Sequence, residues 1–517
     1  MKINKGSIVK LSLLGIYLCL FGFMIYKFAY QHIESDTSSE LILGKLLAEE
    51  GTLLSKNWLY STELRVLNTN IIYFFVSLFV EDFLLLRTFS TVILMAILFS
   101  CAYYCLHSYE KIKQPFFASF LFILPFSSIY NGFILYGMYY VPHIAILLFT
   151  LGTIQHIGKR KKGHYIIFVI TSIISCFAGM GGLRQLLILY IPLVISHILL
   201  YAIYKKEEQK RLTVVSLTYF VCAGIGYVIN SAILANIYHF VTYNFMKTKD
   251  FSMEGIVNFM NGYIQNFGYY ANENLFSLKG IVGVLSLLLC FIFIWLIVLG
   301  FKKMEKKDLY YVNTIVFVAT SMIIFIGIYS FTTMQYVARY LTPTLILLIV
   351  VFLLVISYEP VEKVYKKILI YFICGYFFIS SYVVVKDFIV NDWLKGEREV
   401  AAYIVEKDIN KGYATFWNGN IMTELTNGTI DMYTLDGGTT LDDFTKIESC
   451  EWLIATDILN SNSVDPVCYI VSKEEYENSS QSRKKQFEPY KDFENNEYII
   501  YLFKDDAKFK QIVENKQ

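Results

Sequence analysis

Residues 279–301 read KGIVGVLSLLLCFIFIWLIVLGF, and Lys302, Lys303, Lys306 and Lys307 follow at once. A helix needs about 20 apolar residues to cross the hydrocarbon core of a bilayer. This stretch supplies them with one charge, Lys279, at its start. Ten further segments have the same character: roughly 9–30, 83–106, 115–129, 143–157, 164–179, 185–204, 212–238, 309–331, 340–358 and 367–388. The 517-residue chain is 56% hydrophobic and 17% charged, with a mean hydropathy of +0.48, whereas soluble domains carry about 25% charged residues. Because the excess falls in long runs, a wholly soluble enzyme, a disordered scaffold and an outer-membrane barrel are excluded; barrel strands would alternate over about ten residues. A net charge of +2 gives no bias towards nucleic acid. The expected fold is a polytopic α-helical membrane protein with about 11 transmembrane helices and a C-terminal extracytoplasmic α/β domain.

Lysine and arginine in short loops orient such a chain. Lys2, Lys5 and Lys10 precede the first segment. Alternate loops then carry Lys111 and Lys113; Lys159, Arg160, Lys161 and Lys162; Lys205, Lys206, Lys210 and Arg211; the four lysines after residue 301; and Lys363, Lys366 and Lys367. The intervening loops are nearly free of basic residues. The pattern places the N-terminus in the cytoplasm of a plasma (inner) membrane protein, and an odd helix count places the tail outside. The first segment resembles a secretory signal, but Ala-Tyr-Gln-His-Ile-Glu at 29–34 offers no small-x-small cleavage site. It reads as a retained helix.

The expected division is a membrane domain at 1–388, with outer loops at 31–82 and 239–278, and a soluble domain at 389–517. In the tail, helices are predicted near 397–408 and 420–426, the second ending at Gly428. Strands are predicted at Tyr413–Phe416, Ile430–Leu435, Trp452–Ala455, Tyr469–Val471 and Tyr498–Phe503. Cys450 and Cys468 are the tail's two cysteines, and whether they form a disulfide is open, since nothing in the sequence sets their separation. There is no C-x-x-C, H-E-x-x-H, Walker loop, G-x-S-x-G or G-x-G-x-x-G.

Glu34-Ser-Asp36-Thr-Ser-Ser-Glu40 opens the first outer loop. Thr37-Ser-Ser-Glu40 fits a capping box ahead of an apolar helix at Leu41–Leu47, and Asp36 is free to face a cleft. Further on, Trp58, Tyr60, Glu63 and Arg65 fall on one short stretch. They read either as an interfacial aromatic belt or as the wall of a sugar site. Ile71–Val80 is too short to span and is expected along the surface. Two outer turns break the charge pattern: Gly179-Met-Gly-Gly-Leu-Arg184-Gln185 and Gln335-Tyr-Val-Ala-Arg339-Tyr340-Leu-Thr-Pro343. Each arginine starts a helix, where open N–H groups and the dipole attract anions, and a guanidinium fork matches phosphate. Snorkelling to headgroups is the alternative. Tyr130 to His143 forms a tyrosine-rich edge in which Tyr140 and His143 are candidate substrate contacts and an interfacial girdle is the alternative. The 239–278 loop looks like a mobile substrate cover.

An outward acid just after the first helix, a following helix, a Gly/Trp/Tyr stretch and about ten more helices resemble the GT-C superfamily of membrane glycosyltransferases. That group includes protein O-mannosyltransferases, lipid A aminoarabinose transferases and bacterial lipopolysaccharide sugar transferases. The resemblance implies Asp36 as catalytic base, and Glu63 at the place of an acid near the lipid phosphate or metal. Arg-Tyr-Leu-x-Pro at 339–343 is similar to a basic motif in several such enzymes. The first-loop motif is Ser-Asp-Thr rather than a paired acid, so a divalent metal is left open, and no cofactor is otherwise implied. The implied reaction moves a sugar from a polyprenyl-phosphate donor to an acceptor hydroxyl on an envelope glycan, lipid or protein. Arg184, Arg339 and Tyr340 would hold the donor phosphate. A transporter or flippase of lipid-linked saccharides and a non-catalytic envelope-assembly protein are the alternatives.

Overall fold

The computed structural model describes residues 5–61, 64, 66–240, 247–302, 308–334, 336–359, 362–444 and 446–514. Glu63, Arg65, Gln335, Lys2, Lys303, Lys306 and Lys307 lie outside the described residues. Among the described residues, nine helices are long and apolar enough to cross a membrane, or ten if one bent pair makes a single span. The chain is a polytopic helical membrane protein. Eight of the helices run Lys5–Gln31, Phe83–His107, Val141–Gly158, Leu183–Tyr204, Glu207–Asn236, Leu278–Phe301, Leu309–Phe331 and Ala338–Tyr358. The ninth begins at Lys363, and its apolar part ends at Val390.

Two expected spans differ. The segment near 115–129 is not one rod: Pro115–Ile123 and Ser128–Tyr136 meet at 90°. Pro125 sits in the break, where it withholds a backbone donor, and the Ser127 hydroxyl caps the new helix by accepting from Tyr130 N at 3.0 Å. His164–Met180 is an apolar helix of 17 residues, about 25 Å long and shorter than a full hydrocarbon core. It lies flush against the helix Glu207–Val228 because both present glycine. A Cβ on Gly179 would fall 1.9 Å from the Ala223 carbonyl oxygen, and one on Gly226 equally close to that of Cys176. Small residues of this kind let backbones touch where lipid gives no hydrophobic drive.

Eight strands occur among the described residues: β1 (Trp58–Tyr60), β2 (His239–Phe240), β3 (Lys411–Thr415), β4 (Asp431–Leu435), β5 (Ile454–Ala455), β6 (Val467–Ser472), β7 (Lys491–Glu494) and β8 (Tyr498–Phe503). Five of them form one sheet in the order β4-β3-β6-β8-β7. β3 runs parallel to β4 and β6, and β8 antiparallel to β6 and β7. Helices Lys395–Glu406 and Phe416–Leu425 accompany it. The strand expected near 452–455 does not join this sheet. Its residues Ile454 and Ala455 pair with Leu59 and Trp58 instead, while β2 takes the other side of β1.

Two further readings are corrected, and the open question of a disulfide is answered. Trp58 and Tyr60 are interior residues, 1% and 4% exposed, packed with Leu43, Leu47, Phe416 and Leu453; neither offers a ring face to a sugar. The helix expected from Leu41 starts at Ser35 and runs to Glu50, so Thr37 is its third residue rather than its cap. Glu40 points into the core, where its carboxylate accepts from Asn68 Nδ2 and Thr69 Oγ1 at 3.0–3.2 Å. Cys450 and Cys468 are free thiols. Cys450 N donates to Thr434 O beyond the outer edge of β4, and Cys468 lies in β6 on the far side of β3. Three strand spacings, about 14 Å, separate positions that a disulfide needs within about 7 Å.

A buried ion pair joins the sheet-bearing tail to the spanning helices. Arg87, on Phe83–His107, grips Glu424 on Phe416–Leu425 through two parallel bonds, Nε to Oε1 at 2.5 Å and Nη2 to Oε2 at 2.6 Å. Their side chains are 1% and 0% exposed. The same guanidinium donates to Thr37 O at 3.2 Å and to the Tyr73 hydroxyl at 3.3 Å. Removing one partner of such a pair strands a buried charge and costs about 3–5 kcal/mol. Arg87→Ala and Glu424→Ala should each lower the thermal midpoint in detergent strongly, whereas the paired change Arg87→Met with Glu424→Leu should recover much of the loss. Single variants with wild-type midpoints would contradict this.

Candidate functional site

The segment after the first span is held by two helices of the tail. Tyr30 O accepts from Arg398, and Ile33 packs with Leu394 and Ile421. Glu34 is extended (φ −137°, ψ 163°) and precedes the helix Ser35–Glu50. Its N–H donates to Thr37 Oγ1 at 3.3 Å, and that hydroxyl donates back to Glu34 O at 2.9 Å. Asp36 is therefore the second residue of a helix whose first turn is locked by Thr37 on one side and by Arg87 on the other.

Arg339 meets it from the far end of the chain, with Nη2 3.8 Å from Asp36 Oδ2 and side chains 26% and 17% exposed. Arg339 lies in the 3-10 turn Ala338–Leu341, which Asn266 brackets. The Asn266 amide donates to Ala338 O at 2.6 Å, and its carbonyl accepts from Thr342 Oγ1 at 2.8 Å. Asn266 ends the helix Met253–Asn266, inside the stretch expected to be a mobile cover. That helix is a docked support for the arginine turn.

Arg184 arrives through a turn that only glycine can make: Gly182 has φ +83° and ψ −164°. Its guanidinium lies over Tyr140 at 5.2 Å, Tyr340 at 5.7 Å and Tyr139 at 5.9 Å, in cation–π range. Arg184 Nη1 is 3.4 Å from His143 Nε2. Gln185 Nε2 is 3.0 Å from His143 Nδ1. The two arginines are linked through aromatic rings. Arg339 sits 4.9 Å from Phe133, Phe133 is 6.3 Å from Tyr140, and Tyr340 follows Arg339 in the chain. Two π-helical segments, Asn131–Tyr136 and Leu186–Tyr190, border the cluster; such bulges are often found at functional positions.

Of the residues singled out from sequence, Asp36, Tyr140, His143, Arg184, Arg339 and Tyr340 gather here. Tyr140 is wholly buried and His143 nearly so, so both act from behind the arginines. Trp58 and Tyr60 stand apart, in the core cluster around β1. Glu34 is the neighbour that sequence passed over, although it sits two positions from Asp36. Burial first, and then the Asp36 charge, push its carboxyl up to about 7, against a smaller pull from Arg339. Arg87 and Glu424 were also missed; an arginine inside a predicted span was the available signal. Among the described residues, no group of three or more His, Cys, Asp or Glu side chains gathers as metal ligands. Glu63, the acid that the resemblance places near a metal, lies outside the described residues.

No family model matches the chain, and no curated protein matches it. A functional assignment therefore rests on the geometry.

The Glu34 shift has a sign that can be tested. Between its ordinary value of 4.5 and about 7, the folded protein holds a proton that the unfolded chain has released. This contribution to stability is complete below 4.5 and is lost as pH rises towards 7. The thermal midpoint of wild type minus that of Glu34→Gln should fall from pH 5 to pH 7 and level off above. A difference independent of pH would contradict the assignment.

Proposed function

We propose that this chain is an integral-membrane glycosyltransferase. It moves a sugar from a polyprenyl-phosphate donor to an acceptor hydroxyl on the extracytoplasmic face, inverting the anomeric carbon. In this scheme the N-terminus is cytoplasmic and the 389–517 domain extracytoplasmic, as the lysine-rich alternate loops suggest. The observation that carries the proposal is the 3.8 Å Asp36–Arg339 pair with Arg184 joined to it through Tyr340. A proton acceptor and two forked cations, far apart in sequence, share one place.

The acceptor oxygen attacks the anomeric carbon as its proton passes to Asp36. The bond from that carbon to the phosphate oxygen breaks, and its electron pair leaves on the lipid phosphate. That leaving group needs charge stabilisation more than it needs a proton, and preorganised donors provide it most effectively. Arg339 has two roles: without donor it pairs with Asp36, and a bound phosphate draws it away and frees the carboxylate to act as base. His143, 3.0 Å from Gln185 Nε2 and 3.4 Å from Arg184 Nη1, backs the arginine from inside the bundle.

Asp36→Asn should cut transfer by about 10²–10⁴-fold while leaving undecaprenyl-phosphate binding intact in nanodiscs. A flippase would be only mildly affected. Arg184→Ala and Arg339→Ala should each weaken undecaprenyl-phosphate binding by about 10–100-fold, the worth of a hydrogen bond to a charged group. Wild-type affinity in both, with the protein folded, would refute the phosphate site.

A further inference from the structure

Between Lys411 and Glu424 every residue is buried except Trp417, which is 60% exposed. The backbone that carries the exposed indole is anchored. Trp417 O accepts from Ser35 Oγ at 2.8 Å, and Ser35 stands between Glu34 and Asp36. The Phe416 ring meets the indole edge-on, at 5.2 Å and 76°. The rest of its helix is tied through Glu424 to Arg87, and Arg87 also holds the Thr37 carbonyl. The residue that bears this aromatic face is thus tied by its backbone to the turn that carries the proposed base, by bonds independent of the Asp36–Arg339 pair. Trp58 and Tyr60, read from sequence either as an interfacial belt or as the wall of a sugar site, are in the core.

We propose that Trp417 is the stacking platform of the acceptor subsite, and that the acceptor is a carbohydrate. One ring lies with its C–H face on the indole and turns a hydroxyl towards Asp36. The chemistry is complementary: the C–H face of a pyranose is apolar and slightly positive, and the indole face is negative. A ring mounted on a fixed backbone also lowers the entropy lost on binding. The five-stranded sheet and its helices then act to present the acceptor, while the spanning helices hold the lipid phosphate. This rests on the function proposed above; the competing use of an exposed tryptophan is anchorage at the bilayer surface.

The test uses the full chain in nanodiscs. The probe is envelope polysaccharide released by mild acid from cells lacking the protein, with undecaprenyl phosphate as control. Trp417→Ala should weaken polysaccharide binding about tenfold, Trp417→Phe should restore most of it, and neither should alter undecaprenyl-phosphate affinity. Equal binding by wild type and Trp417→Ala, or no binding by wild type, overturns the proposal. So does quenching of Trp417 by brominated lipids as strong as that of Trp295, which lies on the span Leu278–Phe301. The two levels separate cleanly. If Asp36→Asn still transfers sugar while Trp417→Ala loses polysaccharide, the catalytic assignment fails and the carbohydrate site stands.

Discussion

Arg87 and Glu424 meet where water does not reach, and a charge pair in such a place is tolerated only when its geometry leaves little unmet. Here the two parallel bonds, the Thr37 carbonyl and the Tyr73 hydroxyl take up four of the five guanidinium N–H donors. The consequence is positional. A single arginine joins a spanning helix, the first turn of Ser35–Glu50 and the helix Phe416–Leu425. Asp36 lies one residue from the carbonyl it grips, and Trp417 lies on the helix it anchors. A site assembled from residues 36, 184, 339 and 417 requires such a fixed point, because no local interaction can set distances between segments so far apart in the chain.

Around that point the charges are balanced rather than cancelled. Asp36 and Arg339 pair at 3.8 Å, longer than a tight hydrogen-bonded fork and short enough to hold both side chains ready. Burial and the Asp36 charge push the Glu34 carboxyl up to about 7, so below that pH the site avoids two full negative charges side by side. Arg184 rests on tyrosine faces. Aromatic rings stabilise a guanidinium through its flat face, and the N–H edge carries the directional bonding that matches a multi-oxygen anion.

The spans were legible because an apolar run of bilayer length has few other meanings, and Arg184 and Arg339 stood out as lone charges in otherwise uncharged turns. The strands of the five-stranded sheet were legible from their apolar runs, except β7, whose Lys-Asp-Phe-Glu reads as a polar loop. What stayed hidden depends on contacts distant in sequence. A two-residue strand such as β5 carries no register information, so its pairing with β1 could not be foreseen, nor could the burial of Trp58 that follows. Glu34 rather than Thr37 precedes the helix because the chain arrives extended, and that angle is set by packing of Ile33 on Leu394 and Ile421. Arg87 was visible, but its partner lies 337 residues away.

The most direct measurement is a single-particle cryo-EM structure of the protein in nanodiscs with undecaprenyl phosphate added. The phosphate should lie within hydrogen-bond reach of both Arg184 and Arg339, with Asp36 and Arg339 farther apart than 3.8 Å. Phosphate density elsewhere, with the Asp36–Arg339 pair still closed, would contradict the account.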